Sequence, residues 1–282
     1  MTESTGSTGP TGSRDHYSYD FYADPAMARS FEDRRFGGPI GQLVAAEQAR
    51  VLANMIGRIH ERSVLDVGTG AGRAALMLAR GGARVTAIDA SEQMLEEARK
   101  RAAEQLVKVN FLRGDAHHLD FKDRSFDAVV CLRVLMHTPD WRQSLAELCR
   151  VADRLVIFDY PSATSAALVQ SVMRRMFSAV GGRTEAYRVF RHATIQNALS
   201  GSQFRIRSVH RQFVMPIQLH KMIGSRRFTI RSERVLDRLG LLRLLGSPVT
   251  VCAERIRSSE PSRSAEPIRS AEPIRSAEPI RS

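Results

Sequence analysis

The residues whose types and spacing point to chemistry lie in one short run, Val64-Leu65-Asp66-Val67-Gly68-Thr69-Gly70-Ala71-Gly72. An apolar stretch ends in an acid. Glycine then recurs at every second position, and the helix-forming run Arg73-Ala74-Ala75-Leu76-Met77-Leu78 follows. That order reads as a buried strand, a tight turn and a helix start. Backbone without side chains lets a ligand lie against it, and the first turn of a helix offers unpaired N–H groups. The run predicts a pocket for something flat or carboxylate-bearing. A phosphate loop would need Gly-Lys-Ser/Thr, which is absent. A dinucleotide fingerprint spaces its glycines G-x-G-x-x-G; here they fall G-x-G-x-G, with Arg73 where the third glycine belongs. Asp66 sits poorly beside a pyrophosphate and suits a ligand carrying positive charge.

The elements that must position this loop alternate along the chain. Ser63–Val67, Arg84–Ile88, Val107–Arg113, Phe126–Cys131 and Arg154–Asp159 are short apolar or β-branched runs. Helical stretches separate them: Arg73–Arg80, Ser91–Glu104 and Trp141–Val151, with Gly41–Ile59 ahead of the first strand. Such alternation predicts an α/β fold, a parallel sheet covered on both faces. Two more acids, Asp89 and Asp115, end the second and third strands. His137 follows the fourth, at the edge where open α/β sheets bind ligands. It is the candidate catalytic residue, able to take a proton from an acceptor hydroxyl near neutral pH; a histidine that only shapes the pocket fits equally well. His117-His118 is no metal pair, because adjacent side chains point apart and no Cys or His partner stands at ligand spacing.

The ordered set resembles the class I S-adenosylmethionine-dependent methyltransferases, in the branch of small-molecule and quinone enzymes. The resemblance is strong over about residues 40–160 and weak over 190–255. It implies a doubly wound, mostly parallel, seven-stranded Rossmann-like sheet with helical insertions. It implies S-adenosylmethionine as cofactor, whose ammonium and sulfonium suit Asp66. In the family the acid ending the second strand accepts from both ribose hydroxyls. That role falls on Asp89, in Ala87-Ile88-Asp89, with Ala90 and Met94 beside it. The acid ending the third strand takes the adenine amino group, and the next backbone N–H meets the ring; those positions are Asp115 and Ala116. Gly68, Gly70 and Gly72 form the turn. Cys131 ends the fourth-strand motif Phe126–Cys131 and Arg133 follows it; the resemblance implies both at the cofactor, Arg133 facing either the acceptor or the methionine carboxylate. Asp159-Tyr160 departs from the Asp-Asn pair of the metal-dependent catechol-type enzymes, so no metal is expected.

The charge is unevenly spread. Residues 1–160 carry 21 basic and 22 acidic side chains, whereas 161–256 carry 16 and 4. Such an excess points to an anionic substrate, a membrane surface or nucleic acid, or to a merely solvated face. Arg226, Arg227, Arg231, Arg234, Arg238 and Arg243 alternate with leucines in a basic, amphipathic stretch suited to anionic lipid. The expected organisation is a disordered, cleft-covering segment over 1–39, a methyltransferase domain over 40–256 with acceptor-side insertions near 161–190 and 215–247, and a disordered repeat tail over 257–282. In that tail Ala-Glu-Pro-Ile-Arg-Ser occurs at 265–270, 271–276 and 277–282. Three cysteines without metal or redox spacing, no membrane span and no leader pattern predict a cytoplasmic protein, peripheral at the inner membrane face. The predicted function is methyl transfer to a small, lipid-like or anionic acceptor. The alternatives are methylation of nucleic acid, for which no Asn-Pro-Pro-Tyr-like motif, Pro-Cys or RNA-binding module is present, and a catalytically silent scaffold that binds the cofactor.

Overall fold

The apolar runs become five parallel strands: β1 (Ser63–Val67), β2 (Arg84–Asp89), β3 (Asn110–Arg113), β4 (Phe126–Cys131) and β5 (Ala152–Tyr160). These are seen in a computed structural model describing residues 35–165 and 188–256. With β6 (Phe204–Phe213) and β7 (Ser247–Arg255) they form a seven-stranded sheet ordered β3-β2-β1-β4-β5-β7-β6. β7 runs antiparallel to both its neighbours.

Helices α1 (Gly38–Ile56), α2 (Arg73–Arg80), α3 (Glu92–Glu104), α4 (Trp141–Val151) and α5 (His192–Gly201) flank the sheet. Strand side chains alternate between faces, and both faces are covered here. Val64, Val130 and Ile157 pack with Leu52 of α1 and Leu78 of α2. Their neighbours Leu65, Val129 and Phe158 pack with Leu148 of α4 and Leu199 of α5. Burial on both faces explains why β1 and β4 are nearly unbroken apolar runs, and why an acid inside one of them demands a function.

The chain leaves β1 toward β2 on one side and later returns to β4 on the other. The two neighbours of β1 therefore diverge at its C-terminal end, the switch point where α/β sheets open a crevice.

Several boundaries differ from expectation. β3 starts at Asn110 rather than Val107, because Leu106 takes a left-handed conformation (φ 53) and the Val107 N–H closes a turn onto Ala102. The basic, amphipathic stretch is two helices, α7 (Arg226–Arg238) and α8 (Leu241–Leu245), with Gly240 at φ 77 breaking them. A further helix, α6 (Ile217–Ile223), precedes them. All three lie between β6 and β7. His220, fully buried, ties α6 to α7: Nε2 meets Glu233 Oε1 at 2.9 Å and Nδ1 meets Thr229 Oγ1 at 3.1 Å. Glu233 also accepts the N–H groups of Val214 and Met215, at 2.8 and 3.0 Å. The expectations for residues 1–34, for most of the 161–190 insertion and for the 257–282 repeat fall outside the described residues.

Candidate cofactor pocket

Asp66 is the last polar residue of β1 and is 2% exposed. Burial raises its carboxyl from the ordinary 3.8 to about 6; the Thr69 hydroxyl, donating to Oδ2 at 2.6 Å, opposes that shift. The group is therefore mostly ionised at neutral pH, yet its charge is poorly solvated. Such an acid gains strongly from a cation placed beside it.

The turn that follows is bound to the end of β2. The N–H groups of Gly68 and Thr69 donate to the Ile88 carbonyl at 2.8 and 2.9 Å, and Gly70 N–H donates to Asp89 Oδ2 at 2.8 Å. Asp89 also accepts the Ser91 N–H at 2.9 Å, and burial raises its carboxyl. One acid thus holds both the glycine turn and the start of α3, whose N-cap is Ser91. Gly68 lies at φ 69, and a Cβ there would run into the Val134 side chain.

Just past β3, Gly114 leads into Asp115, whose Oδ1 accepts from the His117 backbone N–H at 2.9 Å and meets His117 Nδ1 at 2.7 Å. His117 Nε2 in turn receives the Asp140 N–H at 3.3 Å. The ring is thereby fixed as a donor toward Asp115, a role the sequence reading did not foresee.

A single cavity runs along the C-terminal edges of β1, β2, β3 and β4. Asp66, Asp89 and Asp115 all line it, and so do Gly68, Gly70, Ala90, Met94, Ala116, Arg133 and His137. The three acids therefore face one space. His137 stands on the 3-10 turn Leu135–His137 after β4 and is 7% exposed. The Arg188 guanidinium bonds the Thr138 and Pro139 carbonyls beside it.

Two of the expected residues stand apart from this lining. Cys131 is fully buried among core residues rather than lining the cavity; burial and the nearby Asp159 and Asp66 carboxylates push its thiol well up. Gly72 also lies outside the lining. It caps α2 in a left-handed conformation (φ 80), where a Cβ would stand 3.1 Å from that of Ala98 on α3, so its smallness serves helix packing.

Other lining residues were not singled out from sequence. Thr69 sits between the two glycines. Phe36, from the stretch expected to cover the cleft, packs under the Arg73 guanidinium at 3.9 Å, and Arg73 also bonds Gln48. Asp159, at the end of β5, is not itself a lining residue but holds one: it is 1% exposed and accepts the Arg133 N–H on Oδ1, and its other oxygen accepts no hydrogen bond among the described residues. A strand-end acid inside an apolar run was the signal available for it. Among the described residues no group of three or more His, Cys, Asp or Glu is arranged to hold a metal ion.

Residues 64–154 match the family described as methyltransferase domain. The demethylmenaquinone methyltransferase of Deinococcus radiodurans is 36% identical over 138 residues, 45% of this chain and 57% of that protein. The magnesium-protoporphyrin O-methyltransferase of Synechocystis sp. is 33% identical over 148 residues, 51% of this chain and 63% of that protein. The chain thus spans little more than half the length of these curated relatives. The crystal structure of magnesium protoporphyrin IX methyltransferase from Synechocystis with bound SAH aligns with a TM-score of 0.61 at 20% identity, over 85% of this chain and 98% of that one. A [4+2]-cyclase also aligns, with a TM-score of 0.54 at 19% identity over 74% of this chain and 80% of that one. The fold is shared more widely than any single reaction, so the activity has to be argued from the site.

Proposed function

We propose that this chain, a class I S-adenosylmethionine-dependent methyltransferase by fold and by its matched domain over residues 64–154, moves a methyl group from S-adenosylmethionine to a small-molecule acceptor. The observation that carries the reading is the single cavity lined by three strand-end acids beside a glycine turn. The residues present fit the cofactor. Asp66, ionised above about pH 6 and buried, matches an ammonium. Asp89, fixed by two backbone N–H groups, presents a carboxylate to a diol. Met94 and Ile88 give a flat base apolar walls, with Asp115 at the edge. A pyrophosphate would meet two carboxylates where it needs donors.

Bound there, S-adenosylmethionine supplies an electrophilic methyl group on a sulfonium sulfur. The protein's part is mainly alignment, which contributes roughly 7–11 kcal/mol to a displacement of this kind. Asp66, Asp89 and Asp115 hold the amino acid, sugar and base ends. The turn carrying His137 and the Arg133 backbone close the side away from β2, where the acceptor enters. His137 takes the proton released by an acceptor hydroxyl. The Arg188 contacts to Thr138 and Pro139 keep that turn in place. Relatives named for quinone and protoporphyrin substrates support an acceptor with a large apolar body. The reading extends to where that acceptor is met: the α6–α8 face at an anionic lipid surface. No helix among the described residues is long and apolar enough to cross a membrane.

Isothermal titration of the full chain with S-adenosylmethionine tests the reading. One-to-one binding that weakens on Asp89→Ala supports it, and absence of binding to the intact protein removes it.

A further inference from the structure

Large apolar side chains left in water are concentrated in one region. Eight of the eleven such residues among the described residues fall within 219–245. Met222 on α6 is 84% exposed, Leu239 at the end of α7 is 68% and Leu244 on α8 is 66%. On α7, Phe228, Val235 and Leu239 recur at i, i+7 and i+11 and form one outward stripe. Beside it Arg227, Arg231, Arg234 and Arg238 recur at i, i+4, i+7 and i+11, a second stripe on the same side of the helix. All seven residues are exposed. None of the four guanidinium groups has an ion-pair partner among the described residues. Of the two acids on α7, Glu233 turns inward to His220. That clip and the Ser225 cap hold the outward face rigid without help from the stripe.

We propose that the α6–α8 face docks on an anionic lipid surface, with Met222, Leu239 and Leu244 entering the boundary of the acyl chains and the arginine stripe against the headgroups. An apolar stripe bordered by these arginines complements a negatively charged interface with an oily layer beneath it. Nucleic acid would use the arginines but leave the apolar stripe in water; a second copy of the chain would set arginine against arginine. The face also adjoins the cavity. Lys221 Nζ on α6 donates to the Arg35 carbonyl at 2.9 Å, and Arg35 and Phe36 line the cavity. An apolar acceptor leaving the bilayer there reaches the methyl-transfer site without crossing open water. The proposal rests on the functional reading for this last step only; docking itself stands on the surface.

The test is co-sedimentation of the full chain with vesicles. Mixed phosphatidylglycerol and phosphatidylcholine vesicles should bind it at least tenfold more strongly than pure phosphatidylcholine, with binding falling as salt rises. Met222→Ser combined with Leu239→Ser, and separately Arg231→Gln combined with Arg234→Gln, should each weaken that binding at least fivefold. Titration with S-adenosylmethionine should be unchanged in both variants, which separates a failure of docking from a failure of the cofactor site. Equal partition of wild type and both variants would overturn the proposal. So would capture by structured RNA with no binding to anionic vesicles, or a dimer whose formation the serine variant abolishes.

Discussion

Replacing Asp66 by asparagine removes a charge from the sheet interior while keeping the shape of the side chain. In the folded protein burial lifts this carboxyl from 3.8 to about 6. The folded state therefore keeps its proton at pH values where the unfolded chain has released it. Stability from this group is fully present below about pH 4 and is lost as pH rises through about 6. Above that, the ionised Asp66 costs the ligand-free protein about 3 kcal/mol. The amide of the Asp66→Asn variant escapes the cost and can still accept the Thr69 hydroxyl, whose charged hydrogen bond already tempers the rise to about 6. The ligand-free variant should thus be about 3 kcal/mol more stable than wild type at pH 8, with the difference vanishing below about pH 4. Urea unfolding across that range, both proteins in parallel, reads it directly. Cofactor binding should change the other way. Losing a charged hydrogen bond of about 1.5–3 kcal/mol weakens S-adenosylmethionine binding roughly ten- to a hundredfold. A variant that is less stable than wild type at pH 8, or that binds the cofactor as tightly, would refute the reasoning.

The wild-type affinity for S-adenosylmethionine should itself fall as pH drops below about 6, where Asp66 takes up its proton; titration calorimetry between pH 5 and 8 checks this. Gly68→Ala should lower thermal stability by about 1–3 kcal/mol and abolish cofactor binding, because φ 69 disfavours a side chain and the new Cβ meets Val134. His220→Ala should cost about 2–4 kcal/mol in urea unfolding by opening a cavity and leaving Thr229 and Glu233 short of a partner, with cofactor affinity unchanged. Cys131, Cys149 and Cys252 are buried, and burial pushes the last two thiols up to about 12 and about 11. None should react with a neutral-pH alkylating reagent until the chain is denatured, as counted by mass spectrometry.

Much of the fold was legible because two periodicities dominate it. Buried parallel strands appear as short apolar runs, and Val64–Val67 and Ala128–Cys131 could be little else. The acids stood out for the same reason: Asp66 and Asp89 interrupt runs that otherwise tolerate no charge. What escaped has local causes. Val107 was assigned to β3 because its side chain is apolar, but the left-handed turn at Leu106 delays pairing until Asn110. The α6–α8 unit was blurred because its helices are exposed, so their apolar residues face outward and invert the usual pattern. Gly72 and Cys131 carry motif-like neighbours, yet one packs against Ala98 and the other lies in the buried core. Which glycine of a turn faces a ligand depends on how the next helix seats, and spacing does not record that. The Asp115–His117–Asp140 chain joins two segments and had no signature of its own.

A crystal structure of the full chain with S-adenosylhomocysteine tests the central claim most directly. The account predicts one molecule in the cavity, its ammonium toward Asp66, both ribose hydroxyls on Asp89 and its adenine between Ile88 and Met94 with Asp115 at the edge. The nucleoside bound away from β1 and β2, with Asp66 and Asp89 touching nothing of it, would contradict it.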